Sequence, residues 1–217
     1  MSCTSAISSL SDWMCRNLVA RTAREYSTLL YTPNYFVELL FWVEDKRFAV
    51  HFGVDPVSIM RAIIFNLGRQ GGTLQGASTI SQQLYNIRLR RAFSRSLAFK
   101  VKQTGWSLYA SAAMSKASIL DEYVSTVYWG RGYRGLDMAA EGYFNATRAS
   151  LSIAQSFFLA ERLAAPNRVS VARISNLFKR IPIRLTLNRN GGTLADIIAL
   201  YEEIYDCGGE MWQLLGK

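Results

Sequence analysis

Two adjacent carboxylates, Glu44 and Asp45, follow an apolar run that begins at Tyr35. Desolvation disfavours the charged form of a carboxylate at the edge of an apolar wall and raises its pKa towards the working pH. A carboxylate tuned in this way can act as a general base towards a sugar hydroxyl. The same residues also allow a purely structural interpretation, in which both carboxylates end a helix and pair with Lys46 and Arg47.

A second polar segment is the glycine-rich loop at residues 69–78, which leads into GASTISQQL at residues 76–84. Uncharged donors stand there at the predicted start of a helix, where backbone N–H groups and the helix dipole favour an anion. These donors are Ser78, Thr79, Ser81, Gln82 and Gln83. The Gly-Lys-Ser/Thr of a phosphate-binding Walker loop is absent, so a polar, capped helix without a ligand fits the pattern equally well.

A basic stretch without any acidic residue follows at residues 88–102. Such a run is usually a solvated helix face, but its place directly after the polar loop would let the two segments hold a diphosphate from both sides. Its cations are Arg88, Arg90, Arg91, Arg95, Lys100 and Lys102.

The elements that must position these groups are helices, because helical periodicity predominates and no segment has a convincing two-residue strand period. Residues with N-cap or capping-box chemistry mark four helix starts, at Asp55-Pro56, Ser115, Ser152 with Gln155, and Thr193 with Asp196. Residues that stop helices are Gly68, Pro166 and the pair Gly208-Gly209. The sequence therefore predicts an all-α protein of about nine helices.

Composition limits the class of protein. The 217 residues are 50% hydrophobic and 19% charged, which excludes intrinsic disorder as the main state and suffices for one domain with its own core. A net charge of +9 indicates a polyanionic partner, which is a nucleic acid, an anionic membrane or a phosphorylated substrate. Three widely spaced cysteines predict buried free thiols, with no disulfide framework and no zinc site, and a single histidine removes most metal sites that use imidazole.

The sequence predicts surface contact with a membrane rather than a span. No stretch reaches the ~18 uninterrupted apolar residues that a span requires, and we expect no ordinary signal peptide at the N-terminus. The apolar stretches 35–42 and 59–65 could supply the contact, although core packing is their more usual role.

In this order the segments closely resemble the peptidoglycan glycosyltransferases of glycosyltransferase family 51. This family comprises the monofunctional transglycosylases and the glycosyltransferase domains of bifunctional penicillin-binding proteins. The resemblance covers residues 33–167 in the expected order and spacing. Its motifs are ED-x-x-F-x-x-H-x-G at 44–53, G-x-ST-I-x-QQL at 76–84, SK-x-x-IL-x-x-Y at 115–123, VYWGRGYRG at 127–135, AAEGYF at 139–144 and LSIAQSFFLAERLAAPN at 151–167.

The resemblance implies an all-α, lysozyme-like helical large lobe with a smaller lobe that faces the membrane. Residues 1–32 would be an N-terminal helical extension, 33–167 the glycosyltransferase family 51-like domain, and 168–217 C-terminal helices that complete the same domain. The implied reaction is polymerisation of lipid II. A lipid-linked disaccharide acceptor attacks C1 of the growing lipid-linked glycan with inversion, and the polyprenyl diphosphate leaves.

The resemblance also implies roles for single residues. Glu44 falls on the catalytic base, which takes the proton of the acceptor 4-hydroxyl, and Gln103 falls on the position of the second catalytic carboxylate. The residues that would line the cleft and bind substrate are Asp45, Phe48, His51, Ser78, Thr79, Gln82, Gln83, Arg95 and Lys100. No organic cofactor is implied, whereas a divalent cation, Mg²⁺ or Mn²⁺, would lie near the diphosphate.

The chain departs from the family at the leaving-group end of the site. The family's third motif is R-K-x-x-E, and the aligned residues are Phe99, Lys100 and Gln103, so an amide that cannot move a proton replaces the glutamate. Asn86 stands where the family typically has lysine. We therefore expect weakened metal dependence, and we expect Gln103→Glu to raise turnover if the remaining cleft is competent.

Three functions stay open at this point. The chain is a working transferase in which Lys100 and other cations carry the diphosphate, or a pseudoenzyme that binds a lipid-linked sugar or a protein partner without turnover. A lytic, lysozyme-type hydrolase is the third. Nucleic-acid binding explains the charge but none of the motifs.

The expected partners follow from the same resemblance. They are a lipid-linked sugar diphosphate, an anionic membrane surface and cell-wall synthesis proteins, with no nucleic acid. The expected location is peripheral to the bacterial inner membrane, on a side that the sequence does not decide.

Overall fold

A computed structural model describes residues 3–67, 77–89 and 96–206, and the side chains within these ranges except those of residues 3–12, 65 and 66. Its helices are α1 (Cys3–Leu30), α2 (Asn34–Val43), α3 (Pro56–Leu67), α4 (Ile80–Arg88), α5 (Leu97–Ala113), α6 (Lys116–Thr126), α7 (Leu136–Phe144), α8 (Ile153–Arg162), α9 (Val171–Phe178), α10 (Ile181–Arg189) and α11 (Leu194–Tyr205). Its strands are β1 (Tyr128–Gly130) and β2 (Tyr133–Arg134).

The predicted all-α class is confirmed, because the described ranges contain eleven helices and a single two-stranded sheet. The prediction of nine helices was too low. Within these ranges no helix combines the length and the apolar character needed to cross a membrane.

The chain forms two compact units. Unit 1 comprises Met1–Lys46 and Ser125–Lys217, and unit 2 comprises Arg47–Val124. Unit 1 therefore holds α1, α2, the sheet and α7–α11, whereas unit 2 holds α3–α5 and most of α6. The sequence-based division into an extension (1–32), a family-like domain (33–167) and C-terminal helices (168–217) stays a prediction.

Helix α2 forms the centre of the core of unit 1, where it packs against α1, α8 and α10. Phe36, Val37, Leu39 and Leu40 have no exposed surface. The apolar stretch at residues 35–42 therefore packs in the core, which is the more usual of its two predicted roles.

The predicted helix starts are confirmed, and each has its side-chain cap. The bonds run from Ser58 N to Asp55 Oδ1 (3.1 Å), Ser118 N to Ser115 Oγ (3.0 Å), Gln155 N to Ser152 Oγ (3.2 Å) and Asp196 N to Thr193 Oγ1 (3.1 Å). Helix α11 ends at Tyr205, with Asp206 in a left-handed conformation. The glycine pair 208–209 and Gly68 lie outside the described residues.

A β-hairpin at YWGRGYRG corrects the prediction that strands are absent. Strands β1 and β2 pair antiparallel, and Gly130 has a φ of 100°. A Cβ at Gly130 would lie 2.2 Å from the carbonyl oxygen of Pro166, so only glycine fits both the conformation and the contact. Two strands this short are set by such a tertiary contact rather than by an alternating pattern.

Helices α4 and α5 pack against each other in unit 2, and the loop before α3 approaches α5 closely. Gly53 has a φ of 76°, and a Cβ there would lie 2.1 Å from the carbonyl oxygen of Ser107. The last residue of the ED-x-x-F-x-x-H-x-G motif therefore fixes the path of that loop against α5.

Cys15 is a free, half-buried thiol. The prediction of a free thiol is confirmed for this residue, but the predicted full burial is not. Cys3 and Cys207 lie outside the residues whose side chains are described.

Candidate active site

The two carboxylates of the first motif lie at the carboxyl end of α2, in unit 1. Glu44 is the C-cap, its N–H donating to Leu40 O at 2.9 Å, and Asp45 N donates to Phe41 O at 3.0 Å. Glu44 is half-buried and Asp45 is buried. A helix carboxyl end carries partial negative charge, which disfavours a second negative charge beside it. Both carboxylates therefore lie at the end of an apolar helix, as the sequence predicts. The raised pKa of Glu44 stays a prediction.

The neighbouring Arg47 binds Asp55 in unit 2. Its Nη2 lies 2.8 Å from Asp55 Oδ2 and donates to Ser58 Oγ at 3.0 Å. Burial raises the pKa of the Asp55 carboxyl, but hydrogen bonds from Arg47 and Ser58 outweigh that effect and hold it below its usual value. Arg47 thus fixes the cap of α3.

Phe48 and His51 lie together in unit 2, with ring centroids 6.2 Å apart in an edge-to-face arrangement, and both are buried. Lys116 Nζ lies 4.6 Å from the centroid of the Phe48 ring, a cation–π distance. The predicted site residues did not include Lys116. Its position in the SK-x-x-IL-x-x-Y motif was the only signal that could have singled it out.

Thr79 and Gln82 form the capping box of α4. Thr79 Oγ1 accepts from Gln82 N at 3.2 Å and donates to Gly53 O at 2.6 Å, and Gln82 Oε1 accepts from Thr79 N at 3.1 Å. Both side chains are almost completely buried, at 2% and 1% exposure. These atoms cap α4 and tie its start to the backbone of Gly53, and a direct contact with substrate stays a prediction.

Gln83 has a different partner from Gln82. Its Oε1 accepts a hydrogen bond from Tyr123 Oη at 2.9 Å. The two adjacent amides of the second motif therefore tie α4 to different parts of unit 2, since Gln82 Nε2 donates to Thr104 Oγ1 at 3.4 Å.

A polar network joins α4 and α5 around Lys100. Lys100 Nζ donates to Ser78 Oγ at 3.0 Å and to Gln103 Oε1 at 2.7 Å. Gln103 Nε2 donates to Gln82 O and to Asn86 Oδ1, each at 2.9 Å. Burial lowers the pKa of the Lys100 ammonium below its usual value. The structure thus brings together four predicted site residues, Ser78, Gln82, Lys100 and Gln103, and it adds Asn86.

Phe99, which stands where the family motif has arginine, packs in an aromatic cluster. Its ring centroid lies 5.8 Å from that of Tyr85, which lies 5.7 Å from that of Trp106. The Cζ atom of Arg88 lies 5.1 Å from the ring centroid of Trp106, and the guanidinium pairs with Glu122. The first cation of the basic stretch is therefore already partnered, which spacing in the sequence could not show.

The rest of the basic stretch is only partly described. Lys102 is exposed on α5. Three cations of the basic stretch lie outside the described residues, namely Arg90, Arg91 and Arg95. The predicted role of Arg95 in substrate binding therefore stays a prediction.

Comparisons with known proteins agree with the motifs. Residues 13–187 match the family model described as Transglycosylase. Penicillin-binding protein 1A of Aquifex aeolicus is 35% identical over 144 residues, which are 66% of this chain and 19% of that protein. Penicillin-binding protein 1A of Neisseria flavescens is 32% identical over 165 residues (72% and 19%), and penicillin-binding protein 1B of Haemophilus influenzae is 33% identical over 140 (62% and 18%). The chain spans about a fifth of the length of these curated relatives.

Proposed function

Since the chain belongs to the transglycosylase family, glycosyltransferase family 51, we propose that it is a peptidoglycan glycosyltransferase. It polymerises lipid II or a related lipid-diphosphate-linked sugar, with inversion at C1 and release of the polyprenyl diphosphate. The observation that carries this proposal is the retained Glu44, half-buried at the carboxyl end of the core helix α2. The partial negative charge of a helix carboxyl end favours the protonated form that a general base must reach.

Glu44 accepts the proton of the acceptor 4-hydroxyl as that oxygen attacks C1 of the donor. The bond between C1 and the diphosphate oxygen breaks, and its electron pair goes to the leaving diphosphate. Lys100, held by Ser78 and Gln103, supplies positive charge to the leaving group.

The side chains around Lys100 do not fit a divalent cation. Mg²⁺ and Mn²⁺ prefer carboxylate oxygens, and the described network offers one hydroxyl, two amides and an ammonium. The amide oxygen of Gln103 already accepts from Lys100. We therefore derive no catalytic step through a metal ion.

The test of the function is glycan-chain formation from lipid II by the purified chain, read as polymer length and as released polyprenyl diphosphate. We expect both products. The second candidate is the pseudoenzyme, which the neutral Gln103 favours because it cannot act as a second carboxylate. Saturable binding of lipid II with neither product would support the pseudoenzyme and exclude the transferase.

Helix α3 is the part of unit 2 that we propose to contact the membrane. Unlike α2, it exposes large apolar side chains: Val57 60%, Met60 59%, Ile63 48%, Ile64 65% and Leu67 81%. A contiguous apolar face of this kind, on a protein of net charge +9, suits peripheral binding to an anionic bilayer. We place the protein at the bacterial inner membrane, where cell-wall synthesis proteins would be its partners.

Binding to anionic liposomes is expected to weaken as NaCl rises from about 0.05 M to about 0.5 M, since salt screens exposed charges. Met60→Ser/Ile64→Ser should weaken binding further at every salt concentration, because it removes apolar surface rather than charge. Co-sedimentation with vesicles measures both effects.

The matched control is Met138→Ser, which removes an equally exposed methionine from α7 in unit 1. It should bind vesicles as the parent chain does. Equal losses in the control and in the α3 variant would show that α3 is not the contact. Absence of any vesicle binding would contradict the lipid-linked substrate.

A further inference from the structure

The amide of Gln103 is held in one orientation by groups at both of its ends. Its Nε2 faces the backbone carbonyl of Gln82, which can only accept, and its Oε1 faces the ammonium of Lys100, which can only donate. The side chain has no exposed surface, so water cannot replace either partner. A carboxylate at this position would set an oxygen about 2.9 Å from the carbonyl oxygen of Gln82. The surroundings of position 103 therefore specify an amide.

Asn86 completes this arrangement from α4. Its Oδ1 accepts the second hydrogen of Gln103 Nε2 at 2.9 Å, so both donor hydrogens and the acceptor oxygen of Gln103 are used. Asn86 is half-buried, and its amide carries no charge into the seam between α4 and α5. Asn86 and Gln103 thus form a neutral, mutually satisfied pair.

The neutral pair leaves the charge of Lys100 uncompensated within the described network. Elsewhere in unit 2, Arg47 pairs with Asp55 and Arg88 pairs with Glu122. Lys100 instead donates to a hydroxyl and to an amide oxygen, which use two of its three ammonium hydrogens. Among the described residues, no carboxylate pairs with this ammonium, which leaves its third hydrogen and its positive charge for an anion.

We infer that Asn86 and Gln103 are positioning residues that hold Lys100 as an uncompensated cation, so that the site binds diphosphate directly and without a divalent cation. This inference rests on the proposed function, and it extends that function to two residues on different helices. It also reverses an expectation from the sequence. Gln103→Glu should weaken the site, because the introduced carboxylate would pair with Lys100 and take up its charge.

Binding of inorganic diphosphate to the full chain, measured by calorimetry in EDTA, tests the inference without requiring turnover. The parent chain should bind in EDTA, and Mg²⁺ should not strengthen binding. Lys100→Met and Gln103→Glu should each lower the affinity for diphosphate by about tenfold or more, which corresponds to the loss of one charge-assisted hydrogen bond. Mg²⁺ should restore part of the binding only in Gln103→Glu, which gains a carboxylate ligand.

Rescue separates positioning from a merely structural role. Adding Asn86→Lys to Gln103→Glu gives the introduced carboxylate its own cation, so binding in EDTA should return towards the parent value. Asn86→Asp is a milder variant at a half-buried position, and it should also weaken binding in EDTA and create a response to Mg²⁺. The control is Gln155→Glu, which adds the same charge at the capping box of α8, where a carboxylate accepts equally well.

Three results would overturn the inference: binding by the parent chain only with Mg²⁺, unchanged binding by folded Gln103→Glu in EDTA, or failure of the double variant to recover. Thermal unfolding shows whether each variant is folded. If Gln103→Glu does not fold, diphosphate binding by Asn86→Asp in EDTA takes its place, and unchanged binding by that variant would overturn the inference. Diphosphate binding as expected, without polymerisation of lipid II, would contradict the proposed function and leave this inference intact.

Discussion

Replacing Glu44 by glutamine is expected to reduce glycan-chain formation from lipid II by about 10²–10⁴-fold, the usual loss when a general base is removed. The amide keeps the shape of the side chain but cannot take the proton of the acceptor hydroxyl. The backbone bond from Glu44 N to Leu40 O does not involve the side chain, so α2 should end as before. With the carboxylate of the third motif replaced by Gln103, little residual activity should remain.

The measurement is the initial rate of polymerisation at saturating lipid II, compared with Glu25→Gln. Glu25 lies exposed on α1 in the same unit, so its variant makes the same chemical change away from the site and should retain the parent rate. Undiminished polymerisation by Glu44→Gln would remove Glu44 from the mechanism. Lipid II binding should persist in this variant, because the loss lies in the chemical step.

The helix starts could be predicted because capping is local. In α8 and α11 the cap and its partner are three residues apart, so the residue types and their spacing already specify the bond. The hairpin could not be predicted in this way, because Gly130 is required by the carbonyl of Pro166, which lies far along the chain. A contact of that kind leaves no periodic signal.

The site shows the same contrast. The apolar run before Glu44 predicted that this residue ends an apolar helix, and the structure has it there. The bond between Asn86 and Gln103 joins residues 17 positions apart on two helices, and a single sequence holds no sign of it. From the sequence, Gln103 was therefore interpreted as the loss of a catalytic carboxylate. Its three hydrogen bonds instead indicate a position that requires an amide.

The largest stability effect is expected in unit 1, at a buried ionic cluster that no sequence pattern predicted. Glu161 and Arg162 are adjacent on α8, completely buried and ion-paired. Glu161 Oε2 also accepts from Tyr201 Oη at 2.6 Å, which ties α11 to α8. Burial disfavours the charge of Arg162, yet Tyr201 and Glu161 outweigh that cost and raise the pKa of the guanidinium above its usual value.

Glu161→Gln is expected to lower the free energy of unfolding by about 3–5 kcal/mol, because it leaves the buried charge of Arg162 without its partner. The triple variant Glu161→Met/Arg162→Met/Tyr201→Phe should lose less stability, since apolar groups of similar volume replace the buried pair and its tyrosine. Among the described residues, only the partly exposed Arg173, whose Nε lies 3.3 Å from Glu161 Oε1, would lose a partner. The control is Asp137→Asn, which breaks the exposed pair with Arg148 and should cost no more than about 1 kcal/mol. Urea unfolding at a constant m value measures all three. A loss for Glu161→Gln no greater than that of the control would mean that the cluster contributes little to holding α11 against α8.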